Sequence, residues 1–128
     1  MNEALKEDYI LLINRLQESN RLGGVMGILH WDQEVIMPSG AAESRAQQLG
    51  SLAGVLHEKT THPEMGKLLD RLPRDNENGF TKFEWCNIVE ARREFDMATK
   101  IPKSLVTELA ELSSRAHQIW VQARAENK

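Results

Sequence analysis

The sequence predicts an all-α protein, a bundle of five to six helices joined by short loops in a single domain of 128 residues. Three observations carry that prediction. Apolar residues recur at helical three- and four-residue steps through most of the chain. No segment alternates apolar and polar residues long enough to make a half-buried strand. The proline-containing breaks fall between the periodic segments, and no internal repeat interrupts the succession.

Taken in order, Leu5, Tyr9, Leu12 and Leu16 define one stripe on a first helix of about residues 3–20. Gly23 and Gly24 then weaken the pattern by about 1 kcal/mol each relative to alanine. Leu22, Met26, Leu29 and Gln33 nevertheless keep the spacing, so a second helix or a bent continuation reaches about Val35. Met37-Pro38-Ser39-Gly40 ends it, because proline removes a donor and disfavours helix at Met37. Ala42, Ala46, Leu49, Ala53 and Leu56 form the buried face of the next helix, to about Lys59. Thr61 or His62 can cap a short helix with Pro63 at its first position and Met65, Leu68, Leu69 and Leu72 as its apolar set. After the polar loop PRDNENG, Thr81 with Glu84 reads as a capping box, and Phe83, Ile88, Ala91, Phe95 and Ala98 as one broad face. Pro102 opens the last helix. Its seam of Leu105, Leu109, Leu112, Ala116, Ile119 and Ala123, with Trp120 beside it, is the most heptad-like in the chain. The closing residues ARAENK carry no stop signal, so the chain reads as cut rather than finished.

Composition excludes several classes of function. Sixteen basic and nineteen acidic residues are interleaved to a net charge of −3, which leaves no basic stripe for nucleic acid. No apolar run approaches the ~20 residues a membrane span needs, and the N-terminus has no signal-peptide core. Cys86 is the only cysteine, expected as a packed thiol in a reducing, cytoplasmic setting.

The densest chemistry is LHWDQEVIMPSG, residues 29–40. His30 and Glu34 share a helical face, but Asp32 points largely away, and two ligands do not close a metal site. The plainer reading makes Trp31 a core anchor and Asp32, Gln33, Arg45 and Gln48 a structural polar network tying the helix end to its successor. HEKTTH, residues 57–62, has one residue too many for a zinc-binding HExxH. Side chains four apart on a helix are offset by roughly 40°, but five apart by roughly 140°. In EARREF, Arg92 and Arg93 can be satisfied by Glu90 and Glu94 on a solvated face. No phosphate loop, ExxH dimetal pair or nucleophile with a base is present, so catalytic and metal residues are expected to be none.

Several of these segments together resemble the N-terminal region of the carboxypeptidase Taq family of zinc metallocarboxypeptidases. The resemblance lies in Trp31-Asp32-Gln33-Glu34, in Met37-Pro38 with Gly40, and in the run from Ser44-Arg45-Ala46 to Leu49. It extends through His57, the HPE at 62–64, Arg92-Arg93 and Lys100-Ile101-Pro102. It covers nearly the whole chain but about the first quarter of a family enzyme. The resemblance implies a helical, commonly dimeric protein from a family that releases C-terminal amino acids from peptides with zinc or another divalent metal. It also implies that the HExxH pair, its glutamate and the substrate-carboxylate motifs lie beyond Lys128, so no cofactor is expected in this chain. The expectation is an N-terminal module, inactive alone, that self-associates as a dimer through Leu105, Leu109, Leu112, Ile119 and Trp120 and lacks a C-terminal catalytic part. A stand-alone interaction protein that pairs with and regulates a full-length peptidase is the alternative. An enzyme built on Asp32, Glu34, Arg45 and His57 is the third reading.

Overall fold

Glu3–Val35 form a single 33-residue helix, α1, in the computed structural model, which describes residues 1–128. The glycines at 23 and 24 do not divide it, so the stretch to Val35 continues the first helix and is not a second one. A 3-10 turn at Ser39–Ala41 follows Pro38 and leads into α2 (Ala42–Thr60); α3 (Pro63–Arg71), α4 (Lys82–Ala98) and α5 (Lys103–Ala125) complete the chain. There is no strand, and the protein is all-α. No helix is long and apolar enough to cross a membrane.

Local chemistry sets the helix ends. His62 caps α3 by accepting the Glu64 amide at 3.1 Å on Nδ1, with Pro63 in the first turn. The capping box at α4 is complete: the Thr81 hydroxyl accepts from the Glu84 amide at 3.2 Å, and the Glu84 carboxylate from the Thr81 amide at 2.8 Å.

The chain divides into two compact units, with α1 contributing to both. Met1–Asn20 and Glu58–Ile101 form the first. Its core gathers Leu12, Met65, Leu68, Leu69, Leu72, Phe80, Ile88 and Ala91, with Leu5, Tyr9, Leu16, Trp85 and Phe95 packed against it. Tyr9 and Phe80 meet at a ring-centroid distance of 5.6 Å, and the Tyr9 hydroxyl accepts from Asn87 at 3.0 Å. Arg71 holds Asp8 through both guanidinium nitrogens that face it, the shorter at 2.8 Å.

Arg92 departs from the expected solvated face. Its Nη2 donates to the Leu69 carbonyl at 2.9 Å, and to those of Leu72 and Pro73 at 3.3 and 3.4 Å. It thereby satisfies carbonyls left over at the end of α3. Only Arg93 makes the expected intrahelical pair, with Glu90 at 3.0 Å.

Phe83 and Cys86 also depart from their expected places. Phe83 is 80% exposed, and Cys86 is exposed too. Helical phase explains both: with Ile88 and Ala91 turned inward, residues 83 and 86 lie roughly 140° and 160° away from Ile88.

The second unit is Arg21–His57 with Pro102–Lys128. Its buried residues are few and mostly small: Ala46, Leu49, Gly50, Ala53 and Gly54 on α2, Gln33 on α1 and Ser114 on α5. A Cβ on Gly54 would stand 2.9 Å from the Thr107 hydroxyl and from Lys103 Cε, and one on Gly50 would overlap the Glu111 side chain. Side chains of α5 thus fill the space over Gly50 and Gly54, and a Cβ at either position would force them to shift. Thr107, Ala110, Glu111, Ser114 and His117 line the inner side of α5, and the leucine seam faces outward.

Candidate functional site

The residues singled out at the end of α1 gather around one guanidinium. Arg45, one turn into α2, donates from Nη1 to the Leu29 carbonyl at 2.7 Å, from Nη2 to Asp32 Oδ2 at 2.7 Å, and from Nε to Gln48 Oε1 at 3.1 Å. The Arg45 side chain is 13% exposed and that of Asp32 30%. With all three nitrogens engaged by α1 and α2, the arginine works as a tie between helices rather than as a free receptor for a carboxylate.

Gln33 is brought near this group in sequence but bonds elsewhere. Its Nε2 donates to the Ser114 carbonyl at 3.1 Å and to the Ser114 hydroxyl at 3.0 Å. Both residues are buried. Ser114 is the partner that sequence reasoning missed. Its signal is a small polar residue at helical spacing from Thr107, Ala110 and Glu111.

Trp31 is not a core anchor: it is 55% exposed. Leu29 and Gln33 face inward on α1, and a residue two positions from either lies roughly 160° away. Leu105, Leu109, Leu112, Ile119 and Trp120 are 42 to 69% exposed and form an outward apolar face on α5. Arg124 lies over the Trp120 ring at 5.3 Å, and His117 stacks on the same indole at 6.4 Å.

An open groove of about 590 Å³ runs along α1 and α2, lined by Leu29, Ser44, Gln47, Gln48, Ser51, Leu52 and Val55. Its polar groups are amides and hydroxyls, able to hydrogen-bond a ligand but not to act as a strong base. His57 lies on α2, and His62 spends its Nδ1 lone pair on the α3 cap. No three His, Cys, Asp or Glu side chains come together anywhere in the chain. The Asp32, Glu34, Arg45 and His57 constellation is therefore not assembled as a metal centre.

One charged pair in this unit perturbs its members clearly. Arg115 reaches Glu43 with Nη2 at 2.7 Å and Nε at 3.0 Å. That hydrogen-bonded contact holds the Glu43 carboxyl below its ordinary range and raises the guanidinium further above its own. The pair is solvent-exposed and joins the start of α2 to α5.

Comparison with known proteins places these features in a family. A sequence profile of the carboxypeptidase Taq (M32) metallopeptidases matches residues 12–128. The chain is 31% identical over 121 residues to thermostable carboxypeptidase 1 of Thermus thermophilus, an alignment covering 91% of this chain and 23% of that protein. It is 26% identical over 126 residues to thermostable carboxypeptidase 1 of Pyrococcus furiosus, and 26% over 125 residues to carboxypeptidase 1 of Bacillus subtilis. Those alignments cover 98% and 95% of this chain, and 24% of each relative. The chain thus spans about a quarter of the length of the curated relatives it matches. No solved structure matches it.

Proposed function

Because the chain belongs to the carboxypeptidase Taq (M32) metallopeptidase family, we propose that it is the N-terminal helical module of a metallocarboxypeptidase of that kind, structural in role and without peptidase activity by itself. The family's activity, release of C-terminal amino acids from peptides, depends on a divalent metal that supplies Lewis-acid chemistry. The donor set here does not fit such an ion, since no three ligand-type side chains converge. Substrate turnover is accordingly assigned to polypeptide outside these 128 residues. A single cysteine fits a reducing, cytoplasmic setting.

What supports the structural role is the outward leucine face of α5. Leu105, Leu109, Leu112, Ile119 and Trp120 lie exposed along one side of a 23-residue helix. A contiguous apolar patch of this kind marks an interaction surface. In the isolated chain it is covered by a second copy, which makes the chain a dimer.

Two measurements test the proposal together. The purified 128-residue chain supplied with zinc should release no amino acid from peptide C-termini, and sedimentation velocity should give a dimer that Leu109→Glu converts to monomer. Stoichiometric zinc with turnover would overturn the structural role. A strict monomer at high concentration would overturn the self-association.

A further inference from the structure

Of the Trp31-Asp32-Gln33-Glu34 segment, Asp32 is engaged by Arg45 and Gln33 by Ser114. Trp31 has no such role. It shares one side of α1 with Gly24, Gly27, Ile28 and Val35. At 3.6 residues per turn these five positions fall within an arc of about 100°. Ile28 is 65% exposed and Val35 62%, and no charged residue is among the five.

The two glycines are a separate observation. Glycine within a helix is destabilising relative to alanine. A Cβ at Gly24 or Gly27 would meet nothing within 4 Å, and neither residue has a positive φ. Nothing inside this chain requires glycine at either position. A surface approaching the α1 backbone closely from outside would.

The extent of the family match says what that surface is. Between 91 and 98% of this chain aligns with each of three relatives, but the aligned part is only 23 or 24% of each. In every one of them this region is accompanied by about three times as much polypeptide, against which an uncharged helix side becomes interior. We infer that the side of α1 formed by Gly24, Gly27, Ile28, Trp31 and Val35 is the seat for the remaining polypeptide of a carboxypeptidase Taq-type chain. Trp31 is its anchor, and the glycines admit the partner's backbone. This rests on the module proposed above and uses a face distinct from the α5 seam.

A chimera tests it: the Thermus thermophilus enzyme with its matched segment replaced by this chain, beside the 128-residue chain alone. Hydroxyl-radical footprinting read by mass spectrometry should oxidise Trp31 readily in the isolated chain at all concentrations, and at least fivefold more slowly in the chimera. Gly27→Ala should raise the Tm of the isolated chain and lower that of the chimera. Equal Trp31 oxidation in a folded chimera, or a Tm raised in both backgrounds, overturns the docking face and leaves the module reading intact. Protection of Trp31 that grows with the isolated chain's concentration overturns it as well and assigns the face to a second copy. Failure of chimeras on all three relatives to fold overturns the module reading itself.

Discussion

The two compact units, of equal length, bury opposite kinds of residue. The first encloses Leu12, Leu68, Leu69, Leu72, Phe80 and Ile88, as amphipathic helices ordinarily do. The second encloses Ala46, Ala53, Gly50, Gly54, one leucine, and the hydrogen-bonded pair of Gln33 and Ser114. It exposes twelve of the chain's nineteen outward-facing large hydrophobics, Ile28, Trp31, Val35 and the α5 seam among them. The first unit is stabilised by what it removes from water. In the second, small residues and specific hydrogen bonds hold the helices while much of the hydrophobic surface stays exposed.

The sharpest way to break this comparison is to truncate one large side chain in each setting. Ile88→Ala, at a fully buried position, should cost about 3 kcal/mol or more in urea denaturation. Leu112→Ala, at a position 58% exposed, should cost no more than about 0.5 kcal/mol at concentrations where the chain is monomeric. Equal losses would mean that the leucine face is covered within the monomer.

The next effect separates hydrogen bonding from burial in the second unit. Gln33→Leu removes the donor to the buried Ser114 hydroxyl and the second donor to its carbonyl and should cost about 1–3 kcal/mol. Adding Ser114→Ala should recover part of that loss, because an apolar pair at the same place leaves fewer groups unsatisfied. A double variant that loses the sum of the two single losses would show that the residues act independently.

How far the sequence was legible follows the range over which each interaction acts. The helix boundaries at Pro38, Pro63, Thr81 and Pro102 could be read because caps and prolines act over three or four residues. In the first unit the apolar stripe Leu5, Tyr9, Leu12 and Leu16 points where periodicity says it should. In the second the same rule misplaced Trp31, because which side of a helix faces its neighbours depends on residues distant in sequence. Gly50 and Gly54 select the polar, small side of α5 by proximity, and nothing local to residues 103–125 announces it. Ser114 was overlooked and Arg92 misplaced for a related reason: a polar side chain that satisfies a distant buried group has the same local sequence as one in solvent. The link between Asp32 and Arg45 was legible because only thirteen residues and one proline turn separate them.

That link gives a smaller prediction. Asp32→Ala removes the one charged partner of a largely buried guanidinium that keeps its bonds to Leu29 and Gln48. A loss of about 1 kcal/mol is expected, more than an exposed ion pair contributes because Arg45 is mostly withdrawn from water. An unchanged Tm would mean that Asp32 is kept for contact with something outside the chain.

The smallest effect concerns pH, and it compares an ion pair in each unit. Glu43, bonded by Arg115, and Glu64, bonded by Lys67 at 3.1 Å, both have carboxyls held below the ordinary glutamate range by those hydrogen bonds. A carboxyl whose value is lower folded than unfolded stabilises the fold fully above the unfolded value, about 4.3, and loses that contribution as pH falls through the folded value. Both pairs are exposed to solvent and screened by salt, so each effect is small. Glu43→Gln and Glu64→Gln should each lower the Tm slightly at neutral pH and low salt, and the difference from the parent chain should vanish once the pH is well below 4. Glu43 ties α2 to α5 across 72 residues of sequence, whereas Glu64 and Lys67 stand three apart on α3. The Glu43 variant should therefore show the larger difference, since its pair fixes tertiary structure in the unit with the smaller apolar core. A larger effect at Glu64 would mean that the second unit does not depend on its polar ties.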